Sequence, residues 1–232
     1  MRLHLVYGST GSGKTDHATA LARQTGAPVI VLDRIQCHPA LAAGAGRPTE
    51  ADTEGTRRLY LSDRPVTAGE LPPAEAHGLL TAQVEELTAG TPLVILEGGS
   101  VSLLKLMYRD PSWERFTWSI DRRPLLPPDQ YYPRAVKRAW DMLHPRDGQP
   151  GLLAELTAAW SYPSARPTLM SVVTYRVAVH ALQRAGLAID RAVDLGYAAR
   201  SKLAGELAVA LHAHAQWQDR AVPEPPARWP RT

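Results

Sequence analysis

The chain has 232 residues, 44% of them apolar, which suffices for one α/β domain or one domain with a helical appendage and excludes wholesale disorder. The formal charge is +3 with no run of five like charges, so a nucleic-acid track is not required; a basic site for a small anion explains the balance equally well. One cysteine, Cys37, excludes an internal disulfide and a Cys-rich metal site, and no window of 18 apolar residues suggests a membrane span. The opening MRLHLVYGST reads as a first strand rather than a signal peptide, so a soluble cytoplasmic protein is expected.

Taken in chain order, LHLVYG at 3 to 8 is a short apolar run ending on Gly, the pattern of a buried parallel strand. A Gly-rich loop follows, then a helix in which Ala18, Leu21 and Ala22 share a face and Gly26 stands at the stop. PVIVLD at 28 to 33 predicts a second buried strand ending on a carboxylate. Residues 34 to 73 are rich in Gly, Pro, Thr and Arg, and only a short helix near 51 to 58 is expected there; loops this long are usually functional. A helix is predicted over 75 to 90, a third strand over 92 to 99, a short helix over 102 to 108 and a fourth strand over 115 to 121. Beyond it no strand is expected. RAVKRAWDML, LLAELTAAW, LMSVVTYRVAVHALQR and a last stretch from about 198 to 219 predict helices, and the Pro-rich tail from 221 to 232 should fray. The fold class is therefore α/β, a P-loop-type parallel sheet flanked by helices with a helical C-terminal part. Its divisions are a core over 1 to 125, a helical part over 126 to 220, and the tail.

GSTGSGKT, residues 8 to 15, has Gly, four residues, then Gly-Lys-Thr, a spacing that curls backbone N–H groups around a phosphate. Gly8, Ser9, Gly11, Ser12 and Gly13 would form the cradle, Lys14 would neutralise phosphate oxygens, and Thr15 would offer its hydroxyl to Mg²⁺. The dipole and free amides of the next helix add to this. The loop does not distinguish ATP from another diphosphate. Asp33 sits at the carboxyl end of the second strand, the edge where ligands bind in open α/β sheets. It serves either as a general base or as a turn cap. Gln36 is placed to hydrogen-bond a base or ribose, or is plain surface; Cys37 and His38 read as structural.

Four segments together, GSTGSGKT, LDRIQC, LVILEGGSVSLL and GAGRPTEADTEGTRRLYLSDRP, resemble the adenylate isopentenyltransferases of plant-associated bacteria and, more distantly, the tRNA dimethylallyltransferases. The likeness runs from residue 1 to about 220 and includes RAVKRAWDMLHP, the TYR at 174 to 176 and HAHAQWQ. It implies transfer of a dimethylallyl group from dimethylallyl diphosphate to the N6 amine of AMP, the first step of cytokinin synthesis, with Mg²⁺ as cofactor. It also implies a substrate tunnel between the helical part and the core. Partners are then two small molecules, with no membrane and no nucleic acid; the oligomeric state is not set, and a monomer is compatible. Asp33 becomes the base that takes the N6 proton. Thr10 would donate to the bridging oxygen of the leaving diphosphate, and Arg138 and Arg176 would contact that diphosphate. His214 matches a position near both substrate pockets and Gln218 one near the acceptor. Glu97, ending the third strand, would order the shell of Mg²⁺ or bond the Gly98 and Gly99 backbone.

Three positions depart from the family pattern. Thr174 stands where Gly is common. Val173 aligns where some members carry an Asp able to accept the hydroxyl of a hydroxylated donor, so an unhydroxylated donor is expected to be preferred. Ala45 stands where a Ser reaching the acceptor is usual. Three other readings share the Gly loop: a small-molecule kinase with lid arginines among 57, 58 and 64, a tRNA prenyltransferase with an inserted helical domain, and a non-catalytic nucleotide-binding module.

Overall fold

The computed structural model describes residues 2–53, 55–88, 90–145 and 148–231. Five parallel strands, β1 (Arg2–Gly8), β2 (Val29–Leu32), β3 (Arg58–Tyr60), β4 (Leu93–Gly98) and β5 (Thr117–Arg123), form one sheet in the order β3-β2-β4-β1-β5. The first half interleaves these strands with helices α1 (Lys14–Thr25), α2 (Glu50–Thr53), α3 (Pro73–Thr88) and α4 (Val101–Arg109). The second half is helical: α5 (Pro128–Leu143), α6 (Leu152–Trp160), α7 (Arg166–Ser171), α8 (Val173–Arg184) and α9 (Tyr197–Ala221).

Side-chain alternation divides the sheet faces. Leu3, Leu5 and Tyr7 of β1 face a core shared with Ile30, Leu32, α3, α4 and Trp118, while Val6, Val29 and Ile95 pack on Ala18 and Ala22 of α1. A third core lies among the C-terminal helices, built on Leu143, Leu156, Tyr175, Val179 and Leu207. Where α5 meets α9 the buried residues Ala135, Ala208 and Ala215 are small, which lets the two helices approach closely.

The four predicted strands, the chain order and the helical second half are found as expected. Four local readings change. β3 completes the sheet beside β2, pairing Val29 with Arg58 and Val31 with Tyr60; three half-buried residues are too short a run to signal a strand. α2 spans 50 to 53 and does not reach 58. α5 begins at Pro128, before RAVKRAWDML, because Pro128 occupies the first helical position, where no N–H is needed. The stretch expected as one helix from 169 is broken at Val172, whose backbone is extended; the Val-Val-Thr run is stiff at χ1 and disfavours helix continuation.

The tail does not fray. Trp229 is buried, stacks on Trp118 at 4.0 Å and meets Tyr108 edge-on at 5.0 Å. The Trp118 amide donates to the Pro230 carbonyl at 2.7 Å, and Arg231 forms a parallel bridge to Trp118, so the chain end covers part of the β5 edge.

Candidate active site

Register brings three strand ends together. Gly98 of β4 lies opposite both Tyr7 of β1 and Leu32 of β2, so the Gly loop, Asp33 and Glu97 emerge side by side at the carboxyl edge of the sheet. The loop needs left-handed backbone at Gly11 (φ 75°) and Gly13 (φ 79°). A side chain at Gly11 would also meet the Tyr131 ring at 2.8 Å, because α5 lies against the loop. The Ser12 hydroxyl and the Lys14 ammonium both donate to the Ser9 carbonyl, at 2.9 and 2.6 Å. The Ser9 hydroxyl is buried with no partner among the described residues, an orphaned donor inside the cradle. The Thr10 amide donates to Gln218 Oε1 at 2.8 Å, and Gln218 Nε2 donates to the Gly99 carbonyl at 3.2 Å, so α9 pins the loop to the end of β4.

The two carboxylate oxygens of Asp33 have different partners. Its Oδ1 accepts the amides of Ile35 (2.8 Å) and Gln36 (3.2 Å), closing a turn, whereas among the described residues Oδ2 receives only the Gln36 side chain at 3.4 Å. Desolvation raises the Asp33 pKa above the ordinary carboxylate range, against the pull of those amides and of Lys14. Desolvation likewise lowers the Lys14 pKa; the Arg138 charge acts in the same direction, and Glu97 and Asp33 oppose it. Lys14, Asp33, Glu97 and Arg138 thus share one electrostatic neighbourhood.

The Thr15 hydroxyl donates to Glu97 Oε1 at 3.4 Å, while Glu97 Oε2 is paired with Arg58, both side chains being almost wholly buried. Of the two alternatives for Glu97, bonds to the Gly98 and Gly99 backbone do not form among the described residues; Arg58 and Thr15 are its partners there. A hydroxyl and a carboxylate of this kind are hard oxygen donors and suit Mg²⁺.

A second layer holds the loop carrying Ala45. Glu155 of α6 is buried and accepts the amides of Ala43 (2.8 Å) and Gly44 (3.0 Å) and the Tyr175 hydroxyl (2.5 Å). Burial raises its pKa, with those three donors opposing. The Thr174 hydroxyl donates to the Gly44 carbonyl at 2.7 Å and so ties α8 to this loop. Arg138 donates to the Gly46 carbonyl at 3.4 Å; Gly46 has φ 66°, and a Cβ there would collide with the guanidinium. Ala45, between them, is half-buried.

Arg176 and His214 form a separate pair. Arg176 donates to the Met170 carbonyl at 3.1 Å, and His214 stacks on Trp217 at 5.3 Å. Burial and then the Arg176 charge lower the His214 pKa. Val173 is the first residue of α8 and half-buried. Tyr131 and Glu155 are absent from the sequence reading, Tyr175 enters it only as the middle of the TYR segment, and Arg58 enters it only as a lid arginine. The paired glycines of GAGRP were the one available signal, since Gly44 and Gly46 accept the close approach of Tyr175 and Arg138.

A family model described as isopentenyl transferase matches residues 1–232. An adenylate dimethylallyltransferase of Agrobacterium fabrum is 41% identical over 231 residues, covering 99% of this chain and 93% of that protein. One of Ralstonia solanacearum is 40% identical over 232 residues, covering 100% and 98%. Among solved structures, the tRNA isopentenylpyrophosphate transferase of Bacillus halodurans superposes with a TM-score of 0.67 at 15% identity, covering 100% of this chain and 89% of that one. That of Staphylococcus epidermidis gives 0.66 at 16%, covering 96% and 91%. At such identities these two speak for the fold alone, a parallel sheet with a phosphate loop and a helical C-terminal part. The full-length match and the relatives near 40% identity go further: this chain belongs to the isopentenyl transferase family.

Proposed function

We propose that the chain transfers the dimethylallyl group of dimethylallyl diphosphate to the exocyclic N6 amine of AMP, giving N6-isopentenyl-AMP and diphosphate, the opening step of cytokinin synthesis. The observation that carries this reading is a desolvated carboxylate with one oxygen outside the backbone bonds of its turn, Asp33 Oδ2, beside the Lys14 cation, which itself feels the Arg138 charge. A base next to an anion cradle is what this substitution needs.

The adenine amine is a weak nucleophile because its lone pair is delocalised into the ring. As that pair forms the new C–N bond, the allylic C–O bond breaks and its electrons leave with the diphosphate. Asp33 takes the N6 proton, and the loop amides, Lys14, Thr10 and Arg138 stabilise the departing charge. Thr15 and Glu97 would hold Mg²⁺, which supplies further neutralisation of the diphosphate when bound. Gln36, Ala45, His214 and Gln218 line the acceptor side in this reading, Val173 and His214 the donor side, and Arg176 approaches the diphosphate. With two small-molecule substrates, one of them AMP, the activity belongs in the cytoplasm.

The kinase alternative needs mobile arginines. Arg58 is buried against Glu97, and Arg64 is held by the Gly69 and Ala68 carbonyls and Glu75, which disfavours a lid. A tRNA enzyme's inserted domain has no room between β5 and α5, which only residues 124 to 127 separate. The test is incubation with dimethylallyl diphosphate, Mg²⁺ and each adenine nucleotide. AMP should gain the mass of one C5 unit; no gain on any nucleotide would overturn the proposal, and ATP consumption would favour the kinase.

Val173 further predicts the donor. Burying a hydroxyl without a partner costs about 1–3 kcal/mol, so kcat/KM should favour dimethylallyl over hydroxylated diphosphate by roughly 5- to 150-fold. Equal values for the two donors would refute this.

A further inference from the structure

Away from the residues so far described, two imidazoles and a carboxylate converge where α1 crosses the sheet edge. His4 lies on β1, Asp121 on β5 and His17 on α1. Val6 is opposite Asp121, and Val6 packs on α1, so His4 and Asp121 project from the face that α1 covers. Both imidazole Nε2 atoms hydrogen-bond the same oxygen, Asp121 Oδ2, at 2.9 Å from His4 and 2.8 Å from His17. The three candidate ligand atoms lie within 4.8 Å of one another. Their side chains are 13% (His4), 35% (His17) and 41% (Asp121) exposed, sheltered yet open to an entering ion. Burial works against ionisation of Asp121, but the hydrogen bonds from His17 and His4 outweigh it and hold its carboxyl below the ordinary range.

We propose that His4, His17 and Asp121 form a binding site for a divalent transition metal of the zinc type, separate from the oxygen donors of Thr15 and Glu97. Zinc takes imidazole nitrogen and carboxylate oxygen at about 2.0–2.2 Å, and three such ligands with a water in the fourth position make a tetrahedral site. The observed triad needs small side-chain shifts to reach that geometry. A neutral imidazole binds through Nε2 once its proton sits on Nδ1; an imidazolium releases a proton on binding. Two nitrogen ligands select against Mg²⁺, which prefers oxygen. Bound metal would cross-link β1, β5 and α1, and His17 stands three residues beyond Lys14, directly behind the Gly loop.

The test uses the full chain stripped of metal with a chelator and titrated with Zn²⁺ against a chromophoric competitor. One zinc per chain is expected, unaffected by millimolar Mg²⁺. Asp121→Asn, which still offers an oxygen to both imidazoles, and His17→Gln should each weaken binding at least about tenfold. Zinc should raise the thermal midpoint of the parent chain and not of the variants. No stoichiometric zinc in the parent, or variants that bind as it does, would overturn the proposal. Turnover is not read, so the outcome is independent of the prenyl-transfer assay.

Discussion

Asp33 shows how one side chain can close a turn and keep an oxygen for a second task. Its Oδ1 closes the turn through Ile35 and Gln36, and its Oδ2, touched by the Gln36 side chain at 3.4 Å, is the oxygen that takes the substrate proton in the proposed reaction. Asp33→Asn keeps a carbonyl oxygen for the turn and removes the base. We expect turnover to fall by about 10²- to 10⁴-fold, with the nucleotide still bound. Because desolvation raises the Asp33 pKa, the parent enzyme should lose turnover as pH falls through a value above the ordinary carboxylate range, and the variant should lose that acid limb. The stability effect has the opposite sign. A raised folded-state pKa means the ionised carboxylate costs stability at neutral pH, a cost relieved as pH falls through the folded pKa toward the unfolded value. The Asn variant should therefore melt no lower than the parent at pH 7. A turnover within threefold of the parent, measured across pH, would remove Asp33 from the role of base; a lowered midpoint with lost activity would indicate damage instead.

At the scale of elements, the C-terminal segment is a working part of the core. Trp229 fills a space between Trp118 and Tyr108, and backbone bonds of Trp118 hold the residues after it. Trp229→Ala should destabilise by about 3–5 kcal/mol, read as a lower urea midpoint. Trp229→Phe should cost distinctly less, since it retains much of the ring and removes an indole N–H that has no partner among the described residues. Equal midpoints for the Ala variant and the parent would mean that the tail contributes nothing to the core. Pro-rich composition suggested fraying, and composition was a poor guide because two aromatic side chains and a strand edge waited to receive it.

Across the whole molecule, legibility followed the distance between partners in sequence. The Gly loop and the buried parallel strands are local patterns with a fixed spacing or an unbroken apolar run, and they stand where expected. Glu155 is the contrary case. In LLAELTAAW it looks like the solvated position of an amphipathic helix, yet its partners Ala43 and Gly44 lie 112 and 111 residues earlier. Arg58 similarly reads as a lid arginine until β3 forms and buries it against Glu97. Thr174 gives no sign of its role in the sequence, and only the fold reveals the Gly44 carbonyl that its hydroxyl meets. Long-range polar pairs leave no periodic trace, so the Gly loop and Asp33 at the carboxyl edge of the sheet could be placed ahead of the scaffold that orients them.

Gln218 joins the Gly loop to α9, and its neighbour Trp217 is the tryptophan left exposed, at 52%, and stacked on His214. That adjacency gives the protein a built-in optical gauge. Whatever fills the loop acts on the Thr10 amide, hence on Gln218 and the turn of helix bearing this indole. Its emission, from the one described tryptophan in the exposed class, is the one a dissolved quencher should reach most readily, and a change in that quenching on adding diphosphate would read occupancy of the cradle without any label.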